Sequence, residues 1–169
     1  MTEEKTTKDK LKFFILSRTA FKRSPYWQEV KKIIEQRFEQ DKIPGESKRA
    51  YLRAFTRAKK GHGHALVVNE ANGDVIAHFN DVPLSNPTCK KVANVGHGVT
   101  APNKKASISL IGTVDEHLKK LGFSEIRSTY YSKSGAVIGR FLKCKEHGIT
   151  RRGKLFNKPE LKHYSRQLK

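Results

Sequence analysis

Apolar residues fall along this chain in short runs and helical stripes, and their order predicts most of the secondary structure. Leu11-Lys12-Phe13-Phe14-Ile15-Leu16 is a short apolar run bounded by Lys and Ser, the pattern of a buried strand. Ser24-Pro25 predicts a helix start, with Ser as N-cap and Pro in the first turn. Trp27, Val30, Ile34 and Phe38 then recur at helical spacing, with Ile33 widening the stripe, until Ile43-Pro44-Gly45 ends it. A second helix is expected over residues 46–60, on a narrow stripe of Tyr51, Phe55 and Ala58. Gly61-His62-Gly63-His64 breaks it. Residues 65–68 and 75–79 read as a hairpin about the turn Asn72-Gly73-Asp74, and Pro83 to Pro87 as a loop. Residues 91–100 read as one strand, in which Gly96 and Gly98 flank His97; glycines inside a strand mark a bulge or the close approach of another backbone. Ile108, Ile111, Val114, Leu118 and Leu121 carry a helical stripe to Gly122. A strand over 123–131, a break at 132–135 and a short helix over 136–146 follow. Two final strands are expected from Ile149 onward, joined near Asn157-Lys158-Pro159, the last over 161–168.

These elements alternate without an internal repeat or a linker. Residues 11–169 are therefore expected to form one domain, after a charged, aperiodic and flexible lead-in over 1–10. Nine Phe, five Tyr and one Trp supply core volume for a chain of 169 residues. No run approaches the roughly 18 apolar residues of a membrane span, and the polar start lacks an export segment. Cys89 and Cys144 lie far apart, so reduced thiols in a cytoplasm are expected. His62 and His64 flank a glycine, and His147 follows Cys144 by three, but no pair has metal-ligand spacing and no metal site is expected.

Charge changes the picture most. The formal net charge is +19, a field that attracts polyanions. It is concentrated in Lys48, Arg49, Arg53, Arg57, Lys59 and Lys60, and again in Arg140, Lys143, Lys145, Arg151, Arg152, Lys154 and Lys158. On one continuous helix Arg49, Arg53 and Arg57 would share a face, either a solvated surface or a rail for phosphates. Basic residues also interleave with aromatics, as at Tyr51 and Phe55. An acidic macromolecule is the expected partner, DNA or RNA foremost, although no helix-turn-helix or RNA-binding signature is present.

The order strand, helix, helix, hairpin, strand, helix, strand, helix, strand, strand resembles the GNAT superfamily of N-acetyltransferases. The local match is Val99-Thr100-Ala101-Pro102-Asn103-Lys104-Lys105-Ala106, a strand end and basic loop before an amphipathic helix, followed by Gly122-Phe123 and by Gly148-Ile149. The resemblance implies an α+β or α/β fold, with a mixed, mostly antiparallel sheet of about six to seven strands flanked by about four helices. It implies acetyl-CoA as cofactor. Its pyrophosphate would lie on Asn103, Lys104, Lys105, Ala106 and Ser107 at a helix N-terminus, and its pantetheine arm on Val99 and Thr100. The loop departs from the family's glycine-rich pattern, so the contact would rest on lysines and backbone N–H groups.

Acyl transfer to an amine needs a base, an oxyanion site and an acid for the leaving thiolate. His97 is the candidate base. The family often places a Tyr acid on its last helix. Counting back from Gly148, that position here is Cys144, and Tyr131 (or Tyr130) could substitute from the preceding strand. The other expectation is a catalytically inactive fold of the same kind, acting as a basic nucleic-acid-binding or virion-associated protein. Small, strongly basic members of this kind are similar to bacteriophage proteins, which would place the chain in a host cytoplasm or a virion.

Overall fold

The computed structural model of the chain describes residues 10–41, 47–101, 107–130, 144–150 and 161–168. Among them lie β1 (Leu11–Ser17), α1 (Arg18–Arg23), α2 (Tyr26–Asp41), α3 (Lys48–Thr56), β2 (His62–Asn69), β3 (Val75–Pro83), β4 (Val92–Asn94), β5 (Gly98–Thr100), α4 (Ser107–Lys120), β6 (Glu125–Tyr130), β7 (Lys145–Thr150) and β8 (Leu161–Gln167). Two four-stranded sheets run β1-β2-β3-β5 and β4-β6-β8-β7. All pairings are antiparallel except that of β4 on β6. The mixed, mostly antiparallel architecture with four helices is the one the resemblance implies; α2, α3 and α4 are helices the pattern predicts, and α1 is not.

Strand β2 explains how the layers are held. Its run Ala65-Leu66-Val67-Val68 has no polar gap because both faces are covered. Ala65 and Val67 pack with Ala77, Val82, Val95 and the α4 residues Leu110, Val114 and Leu118. Leu66 and Val68 pack with Phe21 of α1, Val30 and Ile34 of α2, Tyr51 and Phe55 of α3, and Val99. Each large side chain fully buried this way contributes roughly 1.5–3 kcal/mol.

Several boundaries differ from the expectations, each for a tertiary reason. Helix α1 is too short to show a period. Ser17 caps it by accepting the Ala20 N–H, and Phe21 is its buried residue. Ser24 does not cap α2; its hydroxyl donates to the Phe21 carbonyl at 2.7 Å. Helix α3 ends at Thr56, not residue 60, because β3 captures its end. The Asn80 Nδ2 donates to the carbonyls of Ala54 and Arg57, and Asp81 accepts the Lys59 N–H at 2.8 Å. Strand β2 begins at His62, inside the glycine-histidine break, and β3 runs on to Pro83, which pairs with His62. The helix expected over 136–146 does not extend to its proposed end. Lys145 to Thr150 form β7, paired to β8, and Cys144 precedes that strand; residues 131–143 lie outside the described residues.

Candidate functional site

The strand expected over 91–100 is divided, and the division makes the site. Its first part, β4, lies parallel to β6; its second, β5, lies antiparallel to β3. The change of partner falls between two residues. The Val95 N–H donates to the Arg127 carbonyl on β6 at 3.1 Å, whereas the Gly96 N–H donates to the Asn80 carbonyl on β3 at 3.0 Å. Face parity breaks there too. Val95 packs on the α4 side and Val99 on the α2–α3 side, which a regular strand forbids for residues four apart. Beyond Arg127, β6 continues to Tyr130 paired to β8 alone, so β5 and the end of β6 are not laddered together.

Peptide orientation in β5 follows from its ladder. The Ala101 N–H donates to Ile76 at 2.8 Å, and the His97 carbonyl accepts the Asn80 N–H at 3.1 Å. Antiparallel alternation therefore turns the peptide groups of Val99 toward β3 and those of Gly98 and Thr100 toward the gap. Gly98 leaves room for a neighbouring side chain. A Cβ there would stand 2.6 Å from the Phe79 ring. The ring in turn walls a cavity of about 20 Å³, enough for one water. Its other walls are Val95, Ile111, Val114 and Ile126, and its polar rim is Ser128 with Asp115 and Arg166. Arg166 of β8 grips Asp115 of α4 through both terminal guanidinium nitrogens.

On the opposite face, Asn80 fastens the seam to α3. Its Oδ1 accepts the His97 N–H and its Nδ2 reaches the Arg57 carbonyl at 2.6 Å. Every polar group of this buried side chain is thus used, and a Cβ on Gly96 would collide with it. The next residue, Asp81, has φ +55, rare for a residue other than glycine. Its carboxylate holds His62 at 3.1 Å and the Lys59 ammonium at 3.5 Å. The His97 ring is half-buried, 5.1 Å from that of Phe55.

The structure brings some of the expected residues together and separates others. His97 and Thr100 lie at the seam. Val99 does too, but with its backbone turned to β3 and its side chain in the core. Ser107 opens α4, the helix that follows the seam. Asn103, Lys104, Lys105, Ala106, Tyr131, Arg151, Arg152 and Lys154 lie outside the described residues. Cys144 is not on a helix, which overturns the count from Gly148. Lys145 pairs with Ser165, which pairs with Arg127, so β7 begins three strand spacings from β4, about 14 Å. Lys48 faces Glu35 and Glu39 of α2 at 3.8 and 3.9 Å. Arg49, Arg53, Arg57 and Lys60 are exposed, with no carboxylate in ion-pair reach among the described residues. Sequence reasoning missed Gly98 as a gap-facing peptide and Asn80 as the clamp. The glycine pair around His97 was the available signal for the first; nothing local signals the second.

No group of three or more His, Cys, Asp or Glu that could hold a metal occurs among the described residues, and no helix among them is long and apolar enough to cross a membrane. No family model and no curated protein sequence matches the chain. Solved structures do. A GNAT superfamily phosphinothricin acetyltransferase from Sinorhizobium meliloti, in complex with AcCoA, is 11% identical, with 93% of this chain and 88% of that one covered and a TM-score of 0.60. The ribosomal-protein-S18-alanine N-acetyltransferase from Escherichia coli is 12% identical, with 94% of each chain covered and a TM-score of 0.60. The C-terminal condensation domain of Ebony, in complex with beta-alanyl-dopamine, is 11% identical over 94% of this chain and 99% of that one, with a TM-score of 0.62. At these identities the likeness establishes the fold, and the fold is that of the GNAT N-acetyltransferases.

Proposed function

We propose that this chain, folded as the GNAT acetyltransferases are, transfers an acetyl group from acetyl-CoA to an amine, and that its basic exterior meets an acidic or nucleic-acid partner. The observation that carries the reading is the hand-over at Val95 and Gly96. It leaves β5 and β6 unladdered, with the peptide groups of Gly98 turned into the gap and α4 following. Such a gap fits an extended arm whose amides need backbone partners. The start of a 14-residue helix, α4, suits a pyrophosphate, because its first N–H groups lack intrahelical acceptors. Bound acetyl-CoA supplies the thioester. The chain supplies the rest. The backbone N–H of Gly98 would stabilise negative charge on the carbonyl oxygen. His97, one residue before Gly98, is the candidate proton acceptor. Tyr131, next after β6, is favoured over Cys144 as the acid, because Cys144 precedes a strand on the far side of β8.

Titration calorimetry with acetyl-CoA tests this directly. Binding at 100 times Kd should stabilise the fold by about 2.7 kcal/mol, roughly 5–10 °C in Tm. Lys105→Glu should weaken it, by placing a like charge beside the pyrophosphate. No heat and no shift in Tm would reject acyl transfer and leave the inactive, polyanion-binding reading.

A further inference from the structure

The structure sorts the cations that the sequence only counts. Lys48 is engaged by α2 and Lys59 by Asp81. That leaves Arg49 and Arg53, one turn apart on the outer face of α3, then Arg57, extended at its C-cap, and Lys60 in the turn before β2. Four residues of helix rise about 6 Å, so the two guanidinium stems form a spaced row rather than a cluster. The row is fixed to the seam, since Asn80 bonds the Ala54 and Arg57 carbonyls on one side and the His97 N–H on the other.

We infer that Arg49, Arg53, Arg57 and Lys60 form a docking face for the phosphodiester backbone of a nucleic acid, held beside the parting of β5 and β6. Two features select nucleic acid over an acidic protein. Protein interfaces are anchored by apolar or aromatic side chains in a desolvated centre. Here Tyr51 and Phe55 are 5% and 6% exposed and belong to the core. The large exposed apolar side chains among the described residues are Leu11 and Phe13, both on β1. What α3 presents outward is charge, mostly guanidinium forks, which match phosphate oxygens. With its aromatics buried, this face has no platform for stacking bases, so its binding is sequence-blind. Delivery of an amine acceptor on a nucleic-acid-bound assembly rests on the acyl-transfer reading above; the docking itself does not.

Fluorescence anisotropy with a labelled mixed-sequence DNA duplex, without acetyl-CoA, tests the docking alone. Affinity should fall steeply with salt, and the Arg49→Glu, Arg53→Glu, Arg57→Glu chain should bind at least ten-fold more weakly, with a log–log salt slope shallower by about 2.7. The corresponding triple Gln chain, which keeps the helix without reversing charge, should show the same direction. Hydrogen exchange should show duplex protection over residues 48–60. Wild-type affinity in both triple variants, protection confined to 151–158, or equal binding of polyglutamate would overturn the inference. Failure of acetyl-CoA to bind, with the duplex still bound through 48–60, would remove the acyl-transfer reading and leave this one standing.

Discussion

Asn80 shows how much one buried amide can decide. Its Nδ2 meets two carbonyls of the α3 end and its Oδ1 meets the His97 N–H. Asn80→Asp keeps the shape but turns a donor into an acceptor facing those carbonyls. It should cost about 3 kcal/mol, read as a fall in the urea midpoint; an unchanged midpoint would show that the clamp is dispensable. The buried pair His64 and His78 makes a second prediction. Their rings meet at 3.0 Å, Nδ1 to Nε2, and both stack on Phe21. The outer nitrogens, His64 Nε2 and His78 Nδ1, have no hydrogen-bond partner among the described residues. Burial lowers the His64 pKa from 6.5 to about 4, with Arg18 and Lys22 adding to the fall and Asp81 opposing it. Burial, then His64, pushes His78 well below its ordinary range. Below pH 6.5 the unfolded chain takes up protons that the folded one refuses. The stability these groups contribute is therefore complete above pH 6.5 and drains away toward pH 4, by on the order of 3 kcal/mol for His64. A His64→Leu, His78→Leu chain should lose most of that slope in urea titrations across the window; an equal slope would assign acid sensitivity elsewhere.

Among the elements, the divided strand matters most. A seven-residue span, 92–98, begins in one sheet and ends in the other, and glycine stands where side chains would jam the turn. Gly98→Ala pushes a methyl into the Phe79 ring, which must move into the cavity beneath α4 or lift β5 from β3. A loss of 1–3 kcal/mol is expected, together with weaker acetyl-CoA binding by calorimetry. Full binding with only the stability loss would mean that the gap tolerates a shifted Phe79. Helices α3 and α4 are placed by polar clamps as well as by their apolar stripes. Asn80 holds one, and the bidentate Arg166–Asp115 pair holds the other against β8.

Taken entire, the molecule is a small fold under strong positive self-repulsion, +19 over 169 residues. Screening should relieve it: Tm should rise as salt goes from about 0.05 to 0.3 M, the range in which the Debye length shortens from about 14 to about 6 Å. Scanning calorimetry would show this, and a falling Tm would mean that the surface ion pairs outweigh the repulsion. The same screening should weaken polyanion binding, so stability and binding are expected to respond to salt in opposite directions.

The amino-acid pattern alone carried most of the element order, the unbroken helical stripes of α2 and α4, the hairpin at Asn72-Gly73 and the excess of positive charge, because each is a short-range regularity or a sum. It carried the resemblance that pointed to the fold. Tertiary structure decided where α3 stops, which cations remain unengaged, that Lys145 to Thr150 form a strand and that residues 92–100 serve two sheets. Those outcomes depend on partners far along the chain. Asn80 meets Arg57 and His97 across separations of 23 and 17 residues, and no local spacing encodes which buried carbonyl will be left for an amide to satisfy.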